Sequence, residues 1–398
     1  MRMKRDRLIG IGLLIGSLFV TLAILEGAVR LSIDYDRDGN AEFADVKLRP
    51  YRIPLVSIQE SLDKYNSSTS SRLMYDPELG WTGRPNAQNW VYYYNSAGIR
   101  SAPKEYPLSP EPGVLRIALF GDSYTHCDEV PFEECWGTRL EARLNEHDLP
   151  AEVINFGFSG YGVDQAFLRW RKLGRSYSPQ VVILGFNADD VSRNVNLLRP
   201  VYRKSTSIPL AKPRFIMEGD QLRLINVPTS PPDRILDLMK NVQQWDLARY
   251  EYFLNLGDYQ DSIWLKSRLV SFVSSFLAER STEDEMYLLD REPAQVTLRI
   301  IRQFAQEVQA DGGQFLVVYL PQQDCLERMV EGKPLPYADL LAAIEKNHTV
   351  IHPETPLVEA LKGHPVEDLI ESHYTARGNQ LIAEGVASHL LASPLVAR

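Results

Sequence analysis

Cysteine is scarce in this chain. Cys127, Cys135 and Cys325 are the only three in 398 residues, and none stands in a CxxC pair, which argues against a zinc ribbon or finger. Basic clusters are scarce too. Beyond the first few residues Lys and Arg form no run, and the formal net charge is -9, so a nucleic-acid groove is not expected. Neither GxGxxG nor GxxxxGK[ST] follows any predicted strand, which argues against nucleotide binding. No repeat of fixed period occurs. With no ligand cluster in the sequence, neither a metal nor an organic cofactor is expected.

What is present begins at the N-terminus. Arg2, Lys4, Arg5 and Arg7 precede an uncharged apolar run at residues 8–25, long enough to span a bilayer and longer than a signal-peptide core. The positive flank predicts a cytoplasmic N-terminus, with the bulk of the chain on the far side of the membrane, periplasmic in a Gram-negative cell. Residues 1–30 are therefore expected to be an uncleaved single-pass anchor. A cleaved signal peptide is the alternative, but no small-x-small site directly follows the run. An exported location permits disulfides. Cys127 and Cys135 are close enough in sequence to staple a loop, or to stand as two free thiols.

The chain is organised around LRIALFGDSYTH, residues 115–126. Its apolar run predicts a strand buried on both faces, ending abruptly in Gly121, Asp122 and Ser123. From there the pattern alternates: helix 133–147, strand 152–156, helix 163–173, strand 181–186. It resumes with strand 315–320, a helix at 338–346, a short strand at 349–352 and a last helix at 377–391. Such alternation predicts a three-layer α/β/α sandwich on a mainly parallel sheet. The segments 115–194 and 295–398 would form this core, with 31–114 as a strand-and-turn lead-in and 107–113 as a linker. Residues 195–294 read as an insertion, with a hairpin at Gly219 and Asp220 and helical material through Trp245, Tyr250, Tyr252 and Phe253. It is a lid, a substrate subsite, or a structural and partner-docking appendage. Trp90, Tyr92, Tyr93 and Tyr94 are expected to pack rather than to form a sugar platform.

A hydroxyl at the carboxyl edge of such a sheet makes Ser123 the candidate nucleophile. It needs a base, a group to orient the base, and oxyanion donors. His373 lies before the last helix with Glu371 two residues earlier, and in an extended segment i and i+2 face one side. Glu371 would then orient His373 as it deprotonates Ser123. Gly157, Gly160 and Gly162 let the backbone after the second strand turn an N–H toward the same edge. Asn187, Asp189, Asp190 and Asn194 follow the third strand, where an Asn amide can donate and an ionised Asp cannot. His126 reads as a rim residue, His364 as a surface histidine, and Asp122 as a structural hydrogen-bonding group.

The blocks GDSY, NFGFSG and SHYTARG resemble those of the SGNH, or GDSL-type, serine hydrolases over residues 115–194 and roughly 314–392. The resemblance implies a flavodoxin-like fold with Ser123 as nucleophile and first oxyanion donor, Gly160 as second donor and His373 as base. The acid usually stands three residues before the histidine, here Ile370; anchored bacterial relatives carry it two before, which Glu371 matches, with Asp368 in reserve. The third block departs from the pattern: Asp189 occupies the place of the oxyanion Asn, leaving Asn187 as the nearby amide. The resemblance implies an anchored extracytoplasmic esterase or O-acyltransferase acting on ester groups, O-acetyl among them, of a polysaccharide or envelope glycan. A lipid esterase is an alternative. Another, favoured by Asp189 and the large insertion, is a catalytically weak or inactive glycan-binding or scaffold protein of an exopolysaccharide assembly; envelope proteins are then candidate partners.

Overall fold

The computed structural model describes residues 2–67, 72–203, 206–280 and 285–393, with the side chains of all of these except 2–9 and 279–280. Five apolar runs form one parallel sheet: β1 (Leu115–Phe120), β2 (Ala151–Asn155), β3 (Val181–Phe186), β4 (Gln314–Tyr319) and β5 (Val350–Ile351). Their order is β5-β4-β3-β1-β2, with Leu115 opposite Ala151, Ile117 opposite Val181 and Gln314 also opposite Val181. From β1 the chain winds first to one side and then to the other. The carboxyl ends of β1 and β3 therefore flank a topological switch point, where doubly wound sheets place their ligands.

Six helices matter here. These are α1 (Arg2–Leu31), α2 (Trp136–Glu146), α3 (Val163–Lys172), α4 (Arg268–Arg280), α5 (Glu292–Ala310) and α6 (Ala376–Ala392). Alternate strand residues face opposite layers. Ala118, Phe120, Val182 and Leu184 pack with Phe167 and Trp170 of α3 and Phe304 of α5. Ile117, Leu119 and Ile183 pack with Trp136 and Leu140 of α2 and Ile382 and Val386 of α6. The layers are thus those of an α/β/α sandwich.

Some local expectations shift. The lead-in holds a helix, Leu55–Ser67, which buries Ile58 and Leu62; one pair at i, i+4 is too narrow a stripe to stand out in sequence. The segment around Trp245 and Tyr250 is not helix but short 3₁₀ turns, Val242–Gln244 and Ala248–Tyr250. The hairpin is as expected, Arg214–Glu218 with Gln221–Ile225. Residues 107–113 do not hang free: the Arg116 guanidinium donates to the carbonyls of Pro107, Leu108 and Ser109. Among the packing aromatics, Trp90 is the exception, with 93% of its surface exposed.

The stretch 195–294 shares a smaller core with the lead-in helix, built on Ile58, Leu62, Ile216, Ile235 and Met239. It is also tied to the sandwich by charge. The buried Lys212 ammonium pairs with the buried Asp164 carboxylate of α3 and donates to the carbonyls of Arg193 at 3.0 Å and Asn196 at 3.2 Å.

Within α1, residues Gly10–Leu31 are long and apolar enough to cross a membrane, with mean hydropathy 2.0 and none of that window buried. Its carboxyl end is clasped to α4. Glu26 accepts from the N–H groups of Arg268 (3.0 Å) and Leu269 (2.8 Å) and from Ser267 Oγ (2.8 Å), while Arg30 donates to the Lys266 carbonyl at 2.6 Å.

Candidate active site

The strand exit is sterically demanding. At Gly121 φ is +151°, and a Cβ would lie 2.3 Å from Thr125 Oγ1 and 2.7 Å from the Gly185 carbonyl, so only glycine fits. Asp122 then caps the short helix Ser123–His126, accepting from Tyr124 N–H at 2.9 Å. This fully buried carboxylate also accepts from Asn187 Nδ2 at 2.7 Å and Arg193 Nη1 at 2.5 Å. Ser123 stands at the first position of the helix, where a backbone N–H has no intrahelical acceptor. Among the described residues its N–H bonds to nothing.

Ser123, Gly160, Asp189 and His373 line one cleft of about 790 Å³. Gly160 has φ +76°, the left-handed region that favours glycine, and its N–H also lacks an acceptor among the described residues. Two unsatisfied N–H groups at one cleft are what an oxyanion site requires. Asn187 is not a third. It is wholly buried, its amide turned inward to Asp122 and its Oδ1 accepting from Asp189 N–H at 3.0 Å. Asp189 does reach the cleft, but as a carboxylate paired with Arg193 Nη2 at 3.0 Å. Behind it, Asp190 is buried beside Asp122; burial first, then that neighbouring charge, pushes its carboxyl well up.

The ring of His373 packs against Tyr124 with centroids 5.2 Å apart, and the Tyr124 hydroxyl donates to the Ser372 carbonyl at 3.2 Å. The carboxylate beside the ring is one that sequence reasoning missed. Glu129 Oε2 lies 3.3 Å from His373 Nδ1 and accepts from Ser372 Oγ at 2.5 Å. Glu371 is exposed and makes no side-chain ion pair with His373 among the described residues; only its N–H meets the His373 carbonyl, at 3.1 Å. The reason is local. Ile370 and Tyr374 bridge antiparallel, so 371–373 is the tip of a tight turn and strand alternation does not hold there. Asp368 pairs instead with His364 at 3.4 Å and Arg377 at 3.9 Å.

His126 is not a rim residue. It is wholly buried, stacked beside Tyr94, with Nδ1 2.5 Å from Asp128 Oδ1 and Nε2 2.8 Å from the Tyr94 hydroxyl. Asp128 is held well below the carboxylate range, chiefly through His126 and Arg72 against the opposing effect of burial. An ionised Asp only accepts, so Nδ1 carries the proton and Nε2 accepts from Tyr94. Burial, the main cause, lowers His126 to about 3. Below about pH 6.5 the unfolded chain binds a proton that the folded chain refuses until about 3. Stability is therefore complete above pH 6.5 and declines as pH falls, by at most about 1.4 kcal/mol per unit from this group. Urea midpoints between pH 7 and 4.5 should show the decline, and His126→Gln should remove its share.

The bridge contemplated between Cys127 and Cys135 is not formed; both are free, buried thiols.

Fold and motif placement agree with what resemblance to the SGNH-type hydrolases implies: a doubly wound parallel sheet with the GDS serine at its switch point and the SHYTARG histidine in the same cleft. No family model matches the chain, and neither does any curated protein. In structure it is similar to a G-D-S-L family protein from Desulfitobacterium hafniense DCB-2, at 12% identity and TM-score 0.34, over 69% of this chain and 98% of that one. It is similar to a member of the lipolytic G-D-S-L family from Veillonella parvula DSM 2008, at 13% and 0.36, over 70% and 100%. An acetylxylan esterase from Geobacillus stearothermophilus gives 14% and 0.37, over 71% and 96%. Likeness this distant carries no argument about chemistry, which rests on the site.

Proposed function

We propose that the chain is a membrane-anchored serine esterase or O-acyltransferase acting on ester groups, O-acetyl among them, of an envelope glycan outside the cytoplasm. One observation carries the reading: Ser123 opens a helix at the switch point, in a cleft shared with His373 and with two N–H groups that lack acceptors among the described residues. Ser123 Oγ attacks the ester carbonyl while His373 Nε2 takes its proton. The oxyanion accepts from the N–H groups of Ser123 and Gly160, and collapse expels the alcohol, protonated by His373. Water or a sugar hydroxyl then resolves the acyl-enzyme, so hydrolysis and transfer use the same residues. Glu129, rather than Glu371, orients the imidazole. The uncharged run at residues 8–25 supplies the anchor, supported by the length and apolarity of the helix that carries it.

Turnover of 4-nitrophenyl acetate by the full chain in detergent, blocked by a fluorophosphonate, tests the reading; a folded protein that neither turns over nor labels would sink it. The acid is tested separately. Glu129→Gln should lower kcat by roughly tenfold or more, the scale of a lost charge-assisted hydrogen bond, while Glu371→Gln should leave it within about twofold. The inward turn of Asn187 favours a second reading, a catalytically weak glycan-binding protein, since loss of one oxyanion donor costs on the order of a hundredfold.

A further inference from the structure

The candidate cleft is lined by four arginines, Arg72, Arg193, Arg199 and Arg203, and by two carboxylates, Asp128 and Asp189. Both carboxylates are engaged. Arg72 donates to Asp128 from both terminal nitrogens, at 3.0 and 3.2 Å, and Ser159 Oγ bonds the same group. Asp189 pairs with Arg193, which also meets Asp122 and Asp190. That leaves Arg199 and Arg203 without a carboxylate partner among the described residues.

Arg199 is the telling one. It is 7% exposed, and its contacts are neutral: Nε donates to Thr206 Oγ1 at 3.2 Å and Nη1 to the Gly160 carbonyl at 3.1 Å, with the guanidinium 5.7 Å from the Trp81 ring. Nη2 has no partner among the described residues. The guanidinium lies flat on Gly160, so closely that a Cβ there would sit 2.8–2.9 Å from its terminal atoms. Burial, then the neighbouring Arg193 charge, pushes Arg199 down to about 9, outweighing the opposing pull of Asp189, which is not in contact with it. A buried cation without a counter-ion calls for one from outside. Arg203, exposed on the same rim, adds a second positive charge.

We infer that the substrate carries a carboxylate close to its scissile ester, received by the planar fork of Arg199 beside Gly160 with Arg203 at the rim: an O-acylated acidic sugar, of uronate type, rather than a neutral glycan. A planar guanidinium matches a carboxylate in two parallel hydrogen bonds, which an ammonium cannot reproduce. The inference rests on the reading of the Ser123 cleft as the ester site.

The test uses the full chain in detergent as Ser123→Ala, so that bound sugar is not consumed, titrated with an oligogalacturonate and with a xylo-oligosaccharide of equal length. The acidic sugar should bind at least about tenfold tighter, and its affinity should fall as salt rises from about 50 to about 500 mM. Arg199→Gln and the exposed Arg203→Gln should each reduce acid binding, the former by roughly tenfold or more, and Arg199→Lys should restore part of it. Circular dichroism identifies a variant that has failed to fold, in which case Arg203→Gln and the salt series decide. Equal affinity for both sugars, binding of neither, or indifference to both arginines overturns the inference. Fluorophosphonate labelling of the unsubstituted chain separates the two readings. Labelling without acid preference overturns this inference alone, whereas acid preference without labelling sinks the esterase and with it the scissile ester, leaving only an acidic-sugar site at Arg199.

Discussion

Ser123→Ala should abolish labelling by a fluorophosphonate and lower turnover of 4-nitrophenyl acetate by at least about a thousandfold, the scale seen when a nucleophile is removed and only binding and oxyanion donors remain. The substitution deletes one oxygen. It leaves the backbone N–H, the Asp122 cap and the Gly121 turn untouched, so the fold should survive and the loss can be assigned to chemistry. His373→Ala should lower the rate by a similar factor, and the double variant should be little worse than either single one, because nucleophile and base act as a unit. A residual rate within tenfold of the unsubstituted chain would mean that the ester is cleaved without Ser123.

The second large effect concerns stability. Lys212→Met should lower the unfolding free energy by about 3–5 kcal/mol, since it strands the Asp164 carboxylate in the interior. Both ions are fully buried, and burial is the leading influence on each, raising Asp164 and lowering Lys212. Each ion thus depends on contact with the other to stay charged in the interior. Asp164→Asn combined with Lys212→Met should recover much of the loss, because no uncompensated charge is then left inside. Urea unfolding of the four proteins closes the cycle. A single variant that loses less than about 1 kcal/mol would show that water reaches Asp164.

The sheet was legible because each strand is a short apolar run ending at a small or polar residue, and period and length distinguish such runs from helices. Ser123 was legible for the same reason, as the first hydroxyl beyond a strand that cannot continue. Gly160 was singled out only by the resemblance of NFGFSG, since Gly157 and Gly162 offered the same freedom in sequence and its positive φ shows only in the fold. The partners of these residues could not. Glu129 reaches His373 across 244 residues of sequence only because the loop after Ser123 folds back onto the 371–373 turn, and nothing local in CDEVPFEE announces it; its positive φ of 76° is visible only once folded. Glu371 misled because alternation was applied to a turn. His126 misled because burial depends on the Tyr92 and Tyr94 rings that arrive from the lead-in. The arginine lining was invisible for a further reason: Arg72, Arg193, Arg199 and Arg203 form no run, and it is the pairing of two of them that singles out the others.

The clasp between Glu26 and the start of α4 bears on how the protein would work at a surface. A catalytic body on a slack tether sweeps every direction its leash allows. Here the last turns of α1 are bonded into the body, so with the uncharged run up to residue 25 in a bilayer the stalk and the body turn as one piece. The mouth of the cleft then keeps a single bearing and a single height above the lipid. Substrate must be brought to that height, and an anchored body of this kind would act as a fixed station on a passing polymer rather than as a roaming scavenger.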